Sequence, residues 1–373
     1  MLQRELLIHL NLVSGLGPSS ITRLTENFAS ADELFAATPT RIQQVLGRQD
    51  KLGVAERILE IPKSPALTNE LELARKEGAQ LVTVLDEEYP ALLKAIPNPP
   101  VVLYVKGNLL QEDAAAVAIV GTRLATHYGL GVAKELARGL AKAGVTVVSG
   151  LAEGIDAAAH AGALEGGGRT LAVLGHGLQF IYPPDHRGLS QKIIESGALV
   201  SEFPMGIEPE RGNFPRRNRV ISGLSLGVIV AEAPVKSGAL ITAREALDQN
   251  REVFAVPGPV SSSKSTGAHQ LIKDGAKLVE SVYDVIEELF PQLHSRLGEW
   301  KELAVSLNSS KKPLGLSAQE LEIYEKIPVA GASVVEALLQ GTKLPPQKLL
   351  GVLTELELKG LVRQVPGRGY SRL

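Results

Sequence analysis

VAIVGTRLATHYG, residues 117–129, holds an apolar run, a turn and the start of a helix in thirteen residues. Val117–Val120 has the unbroken Val/Ile character of a strand covered on both faces. Gly121-Thr122-Arg123 makes the turn, and a helix is predicted to begin near Thr126. The same unit recurs downstream. Apolar runs at Val145–Ser149, Thr170–Leu174, Leu199–Glu202, Gly227–Glu232 and Glu252–Val256 alternate with helices predicted to start near Asp156, Asp185, Arg216 and Leu240. Buried strands separated by helices imply a parallel sheet with helices on both faces. The expected fold class is therefore α/β, an extended Rossmann-like domain over 79–290. Two further strand segments lead into it, AQLVTVLDEEYP (79–90) and PNPPVVLYVKGN (97–108).

The flanks read differently. Residues 1–70 give short helices. LLIHLNLVSGLGPSSITRL (6–24) fits a helix-hairpin-helix, whose glycines let backbone amides approach a DNA phosphate. It fits equally a plain helical turn with a glycine cap. Residues 291–315 have weak periodicity and a Ser/Lys/Pro tail, as a linker would. Residues 316–373 offer three helices and a small hairpin, a winged-helix-like plan, with Pro345 and Pro346 suited to the first turn of the third helix.

Composition narrows the function. There are 39 Lys and Arg against 41 Asp and Glu. Any nucleic-acid footprint must therefore be local rather than global. The absence of cysteine excludes disulfides and thiolate metal sites. No twenty-residue apolar run occurs, and MLQRELLIHLNL lacks the small-residue cleavage site of a signal peptide. A cytoplasmic protein without membrane contact is the expectation.

In an open α/β sheet, ligands bind beyond the carboxyl ends of the strands. Those ends are Gly121-Thr122-Arg123, Gly150 to Gly154, Gly175-His176-Gly177, the segment NFPRRNRVISG (213–223) and Lys236-Ser237-Gly238. Small residues there let helix N-terminal amides reach an anion, and several of the loops add a cation. GTRLATHYG is not a GxGxxG loop: Arg123 replaces the second glycine, which would block a dinucleotide and hold a phosphate. A solvated arginine in a capping loop is the bland reading of the same residue. GPVSSSKS (258–265) approximates a P-loop, but Ser263 stands where the amide cradle needs glycine. No cofactor is expected. Asp156 and His160 share a helix face without a third ligand, so no metal site is expected. Asp156 reads as a first-turn acid, and no nucleophile, base and orienter converge.

Six stretches carry a family resemblance: YPALLKAIPNPPVVLYVKG (89–107), GTRLATHYG (121–129), SGLAEGIDAAAH (149–160), FPRRNRVISGLS (214–225), EAPVKSGALITAREALDQNREVFAVPG (232–258) and GAHQLIKDGAKLV (267–279). In this order they resemble the DNA-processing protein A family (DprA, also called Smf). The resemblance implies single-stranded DNA binding without chemistry in natural transformation, protection of incoming strands, help in loading the RecA recombinase, and a homodimer. The family's Gly-Ser/Thr-Arg turn falls on Gly121 and Arg123. Its basic and aromatic positions fall on Arg211 and Phe214, and its Arg-Asn-Arg on Arg217, Asn218 and Arg219. Its Ser-Gly-x-x-x-Thr loop falls on Ser237, Gly238 and Thr242, with Lys236 just ahead. The implied dimer surface includes Ile272 and Leu278. His269 stands where the family commonly has Asn.

The residue chemistry agrees with that implication. Phosphates need cations, which Arg123, Arg211, Arg217 and Lys236 supply, and bases need a flat ring, which Phe214 supplies. On one helix Arg216 and Arg219 lie together while Arg217 points elsewhere, and some of the three can pair with Glu202 or Glu232. The terminal domains are candidates for weaker double-stranded DNA or protein contact. The rival class is a nucleotide-processing hydrolase, related to the phosphoribohydrolases that resemble lysine decarboxylase. Their PGGxGTxxE motif has a counterpart in KSGALITAREA (236–246), with Glu245 in place and the glycine pair lost.

Overall fold

The architecture was analysed in a computed structural model that describes residues 2–47, 53–297, 318–327, 333–342, 344–359, 361–365 and 369–372. The chain divides into two compact units, 1–300 and 301–373.

The larger unit is built on a nine-stranded sheet. Its strands are β1 (Gln80–Thr83), β2 (Val102–Gly107), β3 (Ala116–Gly121), β4 (Thr146–Ser149), β5 (Thr170–Leu174), β6 (Ala198–Ser201), β7 (Gly227–Glu232), β8 (Glu252–Ala255) and β9 (Lys277–Leu278). Their spatial order is β1-β2-β6-β5-β4-β3-β7-β8-β9. Strands β3 to β9 pair in parallel, and β1 and β2 join antiparallel at one edge. The six apolar runs read in the sequence are the strands β3 to β8, nearly residue for residue.

The chain steps from β3 out through β4, β5 and β6, then returns across the sheet to place β7 on the other side of β3. Connections therefore leave β3 and β7 in opposite directions, and a crevice opens beyond their carboxyl ends. A register shift at Val120/Gly121 marks the end of the β3–β7 ladder.

Among the described residues fourteen α-helices accompany this sheet. Six precede it: α1 (Gln3–Leu12), α2 (Pro18–Asn27), α3 (Ala31–Ala36), α4 (Pro39–Leu46), α5 (Val54–Glu60) and α6 (Ala66–Lys76). The others are α7 (Ala91–Lys94), α8 (His127–Lys142), α9 (Ile155–Glu165), α10 (Arg187–Ser196), α11 (Asn213–Gly223), α12 (Gly238–Asp248), α13 (Thr266–Lys273) and α14 (Val282–Leu297). Small residues let α8 and α9 pack closely: a Cβ on Gly162 would stand 2.2 Å from the Lys134 carbonyl oxygen.

The N-terminal helices share a core with the sheet. Leu10, Ile21, Leu24, Leu34, Ile42 and Ile58 are wholly buried in a cluster that continues through Val102, Tyr104, Leu174 and Met205. The turn Gly15-Leu16-Gly17 joins α1 to α2, with Gly15 at φ 84° and Leu16 buried. Helix α14 runs through Pro291 to Leu297, so 291–297 of the expected linker are helical. The remainder, 298–315, lies outside the described residues.

The smaller unit has helices Ala318–Lys326, Val335–Gly341 and Pro346–Leu358, and a hairpin of Val362–Val365 with Gly369–Arg372. Ser333–Val334 adds a third antiparallel strand. Ile323, Ile327, Leu349, Leu353, Leu356 and Val362 form its core. Three helices, a hairpin and Pro345 at the third helix's N-cap complete the winged-helix plan. Of the basic residues near its end, Lys359 is paired with Glu320 at 2.6 Å.

Candidate nucleic-acid interface

The crevice beyond β3 and β7 contains a pocket of about 620 Å³. It is lined by Gly121, Arg123, Arg211, Phe214, Arg217, Asn218, Lys236, Ser237, Gly238 and Thr242, among others. Every sequence-predicted DNA-binding residue except Arg219 is therefore gathered in one place. The turn after β3, the start of α11 and the turn after β7 bring them there.

Helix α11 sends its arginines in three directions. Arg217 turns inward and is only 4% exposed. Its Nη1 donates to the carbonyls of Gly150, at 2.8 Å, and of Val173, tying together the ends of β4 and β5. Gly150 has to be glycine for this, since a Cβ there would lie 2.1 Å from Arg217 Nη1. Burial pushes the Arg217 guanidinium down to about 10, against the opposing pull of Asp156. The Asp156 carboxyl is in turn pushed up by burial and held back chiefly by Arg217. It accepts from the backbone amides of Gly150 (3.1 Å) and Ala152 (3.4 Å). The pair forms a floor whose charges largely cancel, so Arg217 is a brace for the loops more than a free phosphate clamp.

Arg219 points away and pairs with Glu202, 2.5 Å from Nη2 to Oε2, while its Nη1 donates to Asn98 O at 2.8 Å. Glu202 is itself buried, and desolvation pushes its carboxyl up against the pull of Arg219. The structure thus places Arg219 in a sheet-end salt bridge outside the pocket. Arg216 is exposed and lies over the Phe203 ring at 5.2 Å, also outside it. Glu232, the other acid available to these arginines, accepts instead from Thr126 N (2.8 Å) and Thr126 Oγ1 (2.9 Å) at the start of α8.

The cations at the rim are Arg123, Arg211 and Lys236. All three are exposed and form no ion pair among the described residues. Ser237 caps α12, accepting from Ala239 N at 3.3 Å. Asn218 Nδ2 donates to Gly238 O at 3.3 Å and ties α11 to that helix start. Thr242 is buried on the first turns of α12.

Phe214 is half-buried, its ring seated over the end of β5, where a Cβ on Gly175 would come within 2.9 Å of Phe214 Cδ1. The Arg123 guanidinium lies over this ring at 5.2 Å. A second ring, Tyr182, stands 6.0 Å from Phe214, centre to centre, and lines the same pocket. The sequence reading missed Tyr182. Its signal was an aromatic beside two prolines in the loop that follows a strand end.

Other candidates lie elsewhere. No residue of 258–265 lines the pocket; His269 Nε2 contacts the Gly258 carbonyl at 3.0 Å and braces that loop. His160 and Asp156 do not converge, because His160 Nδ1 contacts Thr170 Oγ1 at 2.7 Å. Among the described residues no cluster of three potential metal ligands occurs. No helix among them is long and apolar enough to cross a membrane. Ile272, half-buried on α13, and Leu278, exposed on the edge strand β9, lie outside the pocket.

Comparison with known proteins gives a consistent picture. Residues 80–290 match the model of the DNA recombination-mediator protein A family, and residues 309–368 match the DprA winged helix domain. Protein Smf of Escherichia coli is 38% identical over 378 residues, covering all of this chain and 96% of its own. The X-ray structure of DNA processing protein A from Streptococcus pneumoniae superposes with a TM-score of 0.68 at 37% identity, covering 76% of this chain and 97% of that one. A DNA processing protein A from Helicobacter pylori, described for its unique single-stranded DNA binding mode, superposes with a TM-score of 0.51 at 32% identity. That match covers 57% of this chain and 97% of that one.

Proposed function

The chain belongs to the DNA recombination-mediator protein A (DprA/Smf) family, and from that premise we propose that its switch-point pocket binds single-stranded DNA. The observation that carries this reading is the union of three rim cations, Arg123, Arg211 and Lys236, unpaired among the described residues, with the half-buried Phe214 ring. Cations track phosphates and the ring receives a base, which is the chemistry of a sequence-tolerant single-strand site. A duplex keeps its bases stacked and cannot offer one to Phe214.

The wider role in this reading is strand protection in natural transformation, delivery to the RecA recombinase, and action as a cytoplasmic homodimer through the surface around Ile272 and Leu278. The winged-helix unit serves as an accessory contact for double-stranded DNA or protein. Binding occurs without chemistry. Of the pocket's lining residues only Asp156 is acidic, and its carboxylate is engaged by two backbone amides and the Arg217 charge. Glu245, the acid on which a phosphoribohydrolase reading depends, does not line the pocket. Incubation with nucleoside monophosphates should release no free base.

The deciding experiment titrates labelled single- and double-stranded oligonucleotides with the protein across salt. Preference for the single strand, with affinity falling steeply as salt rises, supports the reading. Equal binding of both, or none at low salt, overturns it.

A further inference from the structure

Tyr182 is exposed between the half-buried Ile181 and the buried Pro183. Its neighbours are anchored: Leu178 and Pro183 are buried, and Ile181 packs against the sheet core. The turn just beyond it is held by His186 Nδ1 on the Leu151 carbonyl at 2.9 Å. Yet the Tyr182 side chain itself stands 43% exposed at the pocket mouth. Its hydroxyl has no hydrogen-bond partner among the described residues. A large aromatic ring left this exposed by a well-anchored backbone keeps apolar surface available for contact with a ligand.

The geometry relative to Phe214 defines that contact. A base held between two rings needs about 3.5–4.0 Å of clearance on each face, hence parallel rings about 7–8 Å apart. The Tyr182 and Phe214 rings are 6.0 Å apart and tilted by 40°. That gap cannot admit a base between the rings, but both rings line the same pocket side by side. We propose that Tyr182 is a second base platform, and that Tyr182 and Phe214 take two consecutive bases of one strand.

This rests on the pocket being the single-strand site. Its test uses the full-length protein and fluorescein-labelled oligothymidylates carrying a single abasic residue moved stepwise along the strand. The wild-type protein should lose affinity when the gap falls at either of two neighbouring positions. Phe214→Ala should become indifferent to one of them and Tyr182→Ala to the other. With the intact strand, Tyr182→Ala should bind about five- to a hundredfold more weakly. Tyr182→Leu, which keeps the bulk without the π face, should behave like the alanine variant, whereas Tyr182→Phe and Tyr182→Trp should bind as wild type. Wild-type affinity in Tyr182→Ala or Tyr182→Leu, with Phe214→Ala weakened, overturns the second platform and leaves the pocket reading intact. Failure of the wild-type protein to bind any single strand overturns both.

Discussion

The Arg123 guanidinium lies over the Phe214 ring, 5.2 Å from its centre, so the first turn of the parallel sheet and the start of α11 meet in one contact. Cation and ring are attracted through the ring quadrupole, which holds both at the rim before any strand arrives. Phe214→Ala removes the stacking face, and single-strand affinity should fall by about 1–3 kcal/mol with the melting temperature little changed. Anisotropy titration beside thermal melting checks both parts.

Charge at the rim should be readable from salt dependence. Each phosphate neutralised on a single strand contributes about 0.7 to the slope of log K against log salt. Arg123, Arg211 and Lys236 together should give a slope near −2, and Arg211→Ala or Lys236→Ala should reduce its magnitude by about 0.7. Slopes that stay constant across these variants would place the phosphates elsewhere.

Arg219 should behave in the opposite manner. Arg219→Ala strips the cation from the buried Glu202, which should destabilise the fold by about 3–5 kcal/mol, as breaking one half of a buried pair does. The salt slope of DNA binding should not move. Denaturant titration and the band shift together separate this behaviour from that of Arg211.

Acid stability should carry the signature of His160. Burial is the main reason its folded-state value drops from 6.5 to about 3, with the charges of His186 and Arg217 acting the same way. Between those values the unfolded chain holds a proton that the folded chain does not. Stability is therefore complete above 6.5 and falls as pH drops toward 3, by up to about 1.4 kcal/mol per pH unit. Asp156 and Glu202, both raised by burial, oppose this at the acid end. The difference between wild type and His160→Gln, measured by denaturant unfolding from pH 7 to pH 4, isolates the histidine, and the variant should show the flatter dependence.

The edge strand β9 offers a test of self-association. Leu278 is 42% exposed there, so Leu278→Glu should leave the fold intact while placing a charge in the proposed dimer surface. Sedimentation should show the wild type as a dimer and the variant shifted to monomer. A variant that sediments as wild type would move the interface to another surface.

Much of this molecule was legible in the sequence. Strands β3 to β8 announced themselves because parallel strands are apolar throughout, and the candidate ligand-binding ends followed from the rule that such sheets bind beyond their carboxyl edges. The glycine turns and the basic α11 start could be placed at the crevice for the same reason. The fusion of the N-terminal helices with the sheet could not be read, since an amphipathic stripe states that a face is buried and not against what. Nor could the roles of the three arginines. Helical period shows that Arg217 and Arg219 diverge, but only the carbonyls of Gly150 and Val173 and the carboxylate of Glu202 decide what each one meets.

Local patterning thus determined the layers, the strand ends and the kind of chemistry gathered there, because these depend on periods of two or 3.6 residues and on turns a few residues long. The tertiary structure decided which cations remain free. Arg217 and Arg219 are engaged by groups 17 to 67 residues distant in sequence, whereas Arg123, Arg211 and Lys236 form no ion pair among the described residues. It also set Tyr182 beside Phe214, a pairing beyond the carboxyl end of β5 that depends on how α11 lies over the sheet. Free charge and ring adjacency are properties of neighbours in space, and a sequence specifies those only through its fold.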